Sequence, residues 1–405
     1  MTHAEILAAA ERIAGHVVAT PAVPAPSFAE RSGANVWLKL ETRQRTGSFK
    51  DRGAANRMLQ FSATERERGA IAMSAGNHAQ AVAYQGARFG IPTTIVMPET
   101  TPYTKVRRTE HFGASIVLTG ETLADCAGEM ARLAAERKLT VVHPYDDAGV
   151  IAGQGTVGLE LLRDVPALDV LLVPVGGGGL IAGVALAAKH LKPSIEILGV
   201  QTEQYPALYR TLRGLEPVTG ATTVAEGIAV KSIGALPLEI VRERVDDVIL
   251  VSDPQIEFAI HLLLEDEKLL AEGAGAAGVA ALFEHAERFR GRNVGIVVTG
   301  GNIDTGLLAT VLSRVRLVEG RVARMRVEIS DRPGILAEVA SILGLCGANI
   351  LDVTHQRMLQ DVPSKNAQLE ITFETRSPAD VEAIAAKLHE AHYTTTILET
   401  SAKAH

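Results

Sequence analysis

Cysteine is nearly absent from this chain: Cys126 and Cys346 are the two found in 405 residues. Two thiols build neither a disulfide framework nor a cysteine metal cluster, and no metal is expected; a reducing cytoplasm suits such a chain. Aromatic residues are scarce, at 4% with a single tryptophan, so the cores must be made of Ala, Val, Leu and Ile. A basic excess is also lacking. Forty Lys and Arg against 47 Asp and Glu leave a net charge of -7, which argues against a nucleic-acid partner. The opening Met1-Thr2-His3-Ala4-Glu5 has no basic region and no apolar core, so no leader is expected. The stretch from Val170 to Ala188 carries no Asp, Glu, Lys or Arg and nears the roughly 20 apolar residues of a membrane span. Pro174 and four consecutive glycines divide it, so it reads as strand, turn and helix, with no membrane partner.

Hydrophobic residues at 47% and charged residues at 21% indicate a globular chain, long enough for two or three domains. Ile6, Leu7, Ala10 and Ile13 predict an amphipathic first helix, and Pro21, Pro24 and Pro26 predict an extended crossing. From Gly53 helices and strands alternate with short turns, which predicts α/β architecture with mostly parallel sheets. Two α/β units are expected over residues 1–318, the smaller, roughly 50–143, inserted in the larger. Residues 319–405 change pattern to β-α-β-β-α-β, a ferredoxin-like module.

The chemistry-bearing stretches lie at strand-to-helix turns. Thr46-Gly47-Ser48-Phe49-Lys50 puts one lysine at a helix start, where Ser48 is expected to cap and burial against Phe49 eases loss of the ammonium proton. Such a lysine condenses with a carbonyl and then serves as a base. Gly176, Gly177, Gly178 and Gly179 follow an apolar strand and expose N–H groups suited to a phosphate dianion. Ile181 stands where a dinucleotide fingerprint needs a third glycine. In Ser74-Ala75-Gly76-Asn77-His78, N–H groups can hold a carboxylate and the Asn77 amide a phenolic oxygen; His78 is read as structural. Thr299 offers a neutral hydroxyl to a pyridine nitrogen, which favours elimination over transamination.

Together these stretches resemble the fold type II pyridoxal phosphate enzymes, and among them the threonine/serine ammonia-lyase (threonine dehydratase) family, over roughly residues 5–315. The resemblance implies that Lys50 carries pyridoxal 5'-phosphate covalently, with Phe49 beside the ring and Asn77 at the phenolic oxygen. It places Gly176 to Gly179 at the phosphate, Thr299 at the ring nitrogen, and Ser74, Ala75, Gly76, Asn77 and His78 at the substrate carboxylate. Glu272, in Ala271-Glu272-Gly273-Ala274-Gly275, matches a family motif without a derivable role. The implied reaction is deamination of L-threonine, and of L-serine, to the 2-oxo acid and ammonia. A 3-hydroxyaspartate ammonia-lyase, a serine racemase or a catalytically silent amino-acid sensor are the alternatives. Ala75 stands where related serine racemases carry a serine, so little racemisation is expected. Gln201 replaces the metal-binding acid of some relatives.

The final module resembles an ACT domain through Arg326 to Leu336 and Gly347-Ala348-Asn349-Ile350. That resemblance implies an isoleucine or valine effector near Asp331, Gly334 and Asn349, an allosteric role, and a homodimer or homotetramer.

Overall fold

The computed structural model describes residues 1–216, 218–220, 222–357 and 366–399. The chain divides into two compact units, Met1–Ile303 and Asp304–His405. The helix Thr305–Val318 therefore falls in the second unit, whereas the sequence reading ended the first at residue 318.

In the first unit the chain lays down β1 (Ala22–Pro24) and β2 (Asn35–Leu40), then leaves for a second sheet. That sheet is β3 (Ala70–Met73), β4 (Thr93–Met97), β5 (Ser115–Leu118) and β6 (Thr140–Val141), in the order β5-β4-β3-β6, all parallel. The chain then returns with β7 (Val170–Pro174), β8 (Glu196–Thr202), β9 (Asp247–Val251) and β10 (Asn293–Val298). The larger sheet runs β1-β2-β10-β7-β8-β9 and is parallel except for β1. Its central strands β7 and β10 are buried from end to end apart from Asn293 and are rich in Val, Ile and Leu, as strands covered on both faces must be.

Small residues bring the supporting helices together. The helices Ala148–Asp164 and Gly179–Leu191 touch backbone to backbone, so that a Cβ on Gly183 would lie 2.4 Å from the Ile151 carbonyl. The proline-rich stretch departs from the extended crossing expected. Only β1 is extended, and Pro26 opens a helix, Pro26–Ser32, because its fixed φ suits the first helical position. The segment before Ile228 holds a short helix, Ala207–Leu212, and a turn, Glu226–Ile228.

A charge cluster lies behind the lysine turn. Arg52 and Lys39 are fully buried, and Arg52 bonds Glu41 through Nε and Nη2 (both 2.8 Å) and Glu160 through Nη1 and Nη2 (both 2.7 Å). Lys39 reaches Glu160 at 2.6 Å. Burial works against the charge on Glu160, but the bonds from Arg52 and Lys39 overcome it and hold its carboxyl below the ordinary range. Two cations and two anions thus fix the helix Lys50–Leu59 against β2 and the helix Ala148–Asp164. From sequence alone Arg52 has the look of a solvated turn residue.

In the second unit β11 (Val322–Ser330), β12 (Asn349–Gln356), β13 (Asn366–Glu374) and β14 (Thr394–Glu399) form an antiparallel sheet, ordered β12-β13-β11-β14. With the helices Ile335–Leu345 and Pro378–Glu390 the order is β-α-β-β-α-β, the ferredoxin-like arrangement. Met325, Val327, Leu369, Ile371 and Phe373 form its core with Val339, Leu343, Ile384 and Leu388 from those helices.

Candidate active site

Parallel strands end together, so each sheet gathers turns far apart in sequence at one of its edges, and turns from both sheets share one cavity. Here the turns after β3, β6, β7 and β10 surround a cavity of about 370 Å³. Lys50, Phe49, Ser74, Ala75, Gly76, Asn77, His78, Gly176, Gly177, Gly178, Gly179 and Thr299 all line it. The structure thus brings together every one of these candidate site residues of the first unit.

Lys50 is the first residue of the helix Lys50–Leu59. Its Nζ donates to the Pro144 carbonyl oxygen at 2.7 Å and lies 5.1 Å from the Phe49 ring centre. Burial lowers its pKa to about 8, with Glu272 opposing the shift. Ser48 does not cap this helix, contrary to expectation: Phe49 occupies the cap position, and the buried Ser48 hydroxyl makes no hydrogen bond. Ser48 is instead bridged to Gly300, the Phe49 N–H donates to the Thr299 carbonyl at 3.0 Å, and Gly301 N–H to the Gly47 carbonyl at 2.9 Å. This strand-like pairing fixes the lysine turn to the turn after β10.

The glycine turn lines the same cavity, and at Gly177, Gly178 and Gly179 it has room for nothing larger. A Cβ on Gly177 would stand 2.3 Å from the Tyr145 ring, and Gly178 has φ +95° at the cap of the helix Gly179–Leu191. Among the described residues the N–H groups of Gly176, Gly177 and Gly178 have no acceptor, so they are free to receive a phosphate. Thr299 is buried and its carbonyl is taken by Phe49.

On the third side, the helix Asn77–Phe89 starts at the cavity. His78 Nε2 lies 2.8 Å from the Val142 carbonyl oxygen and therefore carries the ring proton. Burial, and then the charge of Lys50, lower its pKa to about 3, so the ring is neutral. Asn77 donates through Nδ2 to Glu272 Oε1 at 2.6 Å. The mouth carries an ion pair, Lys105 to Glu226 at 2.5 Å.

Sequence reasoning missed Pro144, Tyr145, Glu226 and Asn302 as site residues. The His143-Pro144-Tyr145-Asp146-Asp147 run after β6 was a usable signal, since proline, aromatic and acids follow a strand end there. Glu226 had none. Gln201 holds the Val175 carbonyl (3.3 Å) and the Tyr209 N–H (3.0 Å). In the second unit Asp331, Gly334 and Asn349 are exposed, Asp331 pairs with Arg357 at 3.2 Å, and Gly334 has φ +93° at the start of the helix Ile335–Leu345.

An amine with a lowered pKa, a bare phosphate cradle, a neutral hydroxyl and an amide around one cavity can hold a flat, phosphorylated ring. Comparison with known proteins agrees. The family model described as pyridoxal-phosphate dependent enzyme matches residues 13–300. An L-threonine ammonia-lyase of Thermotoga maritima is 43% identical over 359 residues, 88% of this chain and 89% of that protein. Another, of Geobacter sulfurreducens, is 38% identical over 96% of this chain and 97% of its own. Among solved structures, a T.th. threonine deaminase superposes with a TM-score of 0.72 at 36% identity, covering 75% of this chain and 99% of that one. Maize serine racemase gives 0.73 at 34% identity, over 78% and 97%. With its mostly parallel α/β core, the chain belongs to the pyridoxal-phosphate dependent enzyme family.

Proposed function

We propose that this enzyme deaminates L-threonine, and L-serine with it, to the 2-oxo acid and ammonia. The observation that carries the reading is the placement of Lys50 Nζ in one cavity with the glycine cradle and the Ser74-to-His78 turn. Two relatives named L-threonine ammonia-lyase over most of their length support it. Pyridoxal phosphate bound there supplies a carbonyl for an amino group and a conjugated ring that accepts the electrons left at Cα.

The chain's own groups do the rest. The N–H groups of Gly176 to Gly179 hold the phosphate at a helix start. Phe49 packs beside the ring, and the Asn77 amide donates to its phenolic oxygen. Thr299 presents a neutral hydroxyl to the ring nitrogen, so the ring is a moderate electron sink and elimination is favoured. The Ser74-to-His78 turn holds the substrate carboxylate through the N–H groups of Ala75, Asn77 and His78, since that of Ser74 donates to the Val96 carbonyl and that of Gly76 to Ser74 Oγ, both at 3.2 Å. Lys50, as a free amine, would take the Cα proton; with a pKa of about 8 it would be a competent base near neutrality. The β-hydroxyl departs as water, and the unsaturated amine released takes water up again to give the oxo acid and ammonia.

The second unit is proposed to be an ACT module binding isoleucine or valine at Asp331, Gly334 and Asn349 in a homo-oligomer. Its strand order and the helix start behind Gly334 support that reading. Borohydride reduction followed by peptide mapping should mark Lys50. Kinetics over β-hydroxy amino acids should rank threonine and serine above 3-hydroxyaspartate; the reverse order overturns the substrate assignment. D-Serine formed as fast as pyruvate would overturn the expectation of little racemisation and show that a residue other than Ala75 supplies the proton on the face opposite Lys50.

A further inference from the structure

Glu272 is a half-buried acid lining the cavity for which the reaction above has no use. It stands at the cap position of the helix Gly273–Glu284, where a carboxylate ordinarily accepts an N–H of the first turn, yet it makes no such bond. It reaches Asn77 instead, at 2.6 Å. The chain makes room for this: a Cβ on Gly300 would lie 2.5 Å from Glu272 Oε1, and the Glu272 N–H is tied to the Gly300 carbonyl at 3.0 Å.

The orientation of the amides follows from a fixed reference. The Thr46 carbonyl only accepts, and Asn302 lies 2.7 Å from it, so Asn302 turns Nδ2 that way. The same nitrogen donates to Asn77 Oδ1 at 2.8 Å. Asn77 must then turn its own Nδ2 toward Glu272. One of its two N–H bonds is spent on the carboxylate and the other remains for a ligand in the cavity. Thr46, Asn302, Asn77 and Glu272 form a single chain of hydrogen bonds, which begins at the lysine turn and ends on the acid.

We propose that Glu272 is a positioning residue for the pyridine ring: through its bond to Asn77 it fixes the amide that meets the ring oxygen and sets how strongly that amide donates. The inference rests on the cofactor reading above, with Asn77 at the phenolic oxygen. An anionic Glu272 accepts strongly from Asn77, and its field disfavours a second negative charge on the ring oxygen. A neutral Glu272 lifts that penalty. The groups facing it are Lys50 from the lysine helix, Lys105 from the helix Tyr103–His111, and Glu226 from the turn Glu226–Ile228. Burial raises its pKa to about 7 against the opposing bond from Asn77. The change of charge therefore falls near neutral pH.

The test uses the holoenzyme and the full chain. Visible absorption of the lysine-bound cofactor is followed from pH 5.5 to 9, and cofactor affinity is measured by titrating apoenzyme. The wild type should show an absorption step near pH 7. Glu272→Gln keeps an acceptor oxygen for Asn77 and should bind the cofactor within about threefold of wild type while losing the step. Glu272→Ala loses both and should bind about tenfold more weakly, with its absorption displaced. Unfolding midpoints confirm that each variant is folded, and Glu272→Gln alone decides the matter if Glu272→Ala is not. A step that persists unchanged in Glu272→Gln overturns the proposal. Asn77→Ala separates this from failure of the underlying reading. If Asn77→Ala leaves the absorption unmoved, Asn77 does not meet the ring and both fall; if it moves the absorption and the Glu272 variants do not, only the role of Glu272 is lost.

Discussion

The two units handle their loops in opposite ways. In the first, the parallel strands of two sheets deliver four turns to one cavity, and residues as far apart as Lys50 and Thr299 share it. In the second, antiparallel strands send turns to both ends, and Asp331 and Asn349 remain exposed beside helix starts and strand entries. Chemistry in the first unit is therefore enclosed and desolvated, with Lys50 near 8, Glu272 near 7 and His78 near 3. In the second unit ionic contacts such as Arg326 with Glu370, and Asp331 with Arg357, involve partly exposed partners. The first unit can do covalent chemistry.

The largest effect should come from Lys50→Ala. Loss of a general base alone is worth about 10²–10⁴-fold, and here the covalent anchor goes as well. Turnover should fall by at least that much, with folding intact by circular dichroism. Turnover within tenfold of wild type would mean that another amine does the chemistry.

Next comes the buried charge cluster, which has no counterpart among the described residues of the second unit. Arg52→Met leaves Glu41 and Glu160 without their main partner, and breaking a buried ion pair costs about 3–5 kcal/mol. Urea unfolding followed by Trp37 fluorescence reports the first unit, because Trp37 lies in β2 and is the single tryptophan. A loss under about 1 kcal/mol would show that water replaces the missing charge.

Deletion of the second unit should be milder. Effector coupling is typically about 1–3 kcal/mol, or 5–150-fold in affinity. Solved relatives are matched over 97–99% of their own length by about three quarters of this chain, which supports an active enzyme without residues 304–405. Chains ending at Ile303 and at Val318 should both deaminate threonine and ignore isoleucine and valine. A truncated chain that still responds as the full one does would move the sensor into the first unit.

What the sequence made legible follows the same division. Glycine turns after apolar strands announce themselves in local sequence, as does a lysine at a helix start, so the meeting of Gly176 to Gly179 and Lys50 at one cavity was legible, while their roles belong to the proposal. Ser48 was misread because its conformation is set by pairing with Gly300, far along the chain. Arg52 looked solvated because its partners, Glu41 and Glu160, lie on separate elements. Glu272 carried a motif and no role, since its partner Asn77 is a long-range contact. Local physics can be read from local sequence; a network that closes through tertiary contacts cannot.

The smallest expected effect concerns acid. His78 is buried as the neutral ring, with a folded pKa of about 3 against an ordinary 6.5. A base with a depressed folded pKa takes up its proton more readily when unfolded, so its contribution is intact above pH 6.5 and is lost as pH falls toward 3. The cost is about 1.4 kcal/mol per pH unit, or roughly 0.7 kcal/mol at pH 6. Two acids run the other way. Burial raises Asp51 to about 6 and Glu272 to about 7, so between their ordinary values and these the folded state holds the extra proton and gains stability as pH falls. The three cancel in part, and the whole protein need not look acid-labile. The difference between wild type and His78→Asn isolates the one group: Trp37 unfolding curves should converge as pH drops from 7 to 5, since the variant has no ring to protonate. Curves that stay parallel over that range would mean that the His78 ring reaches water in the folded state, and that the enclosed character of the first unit stops short of this helix.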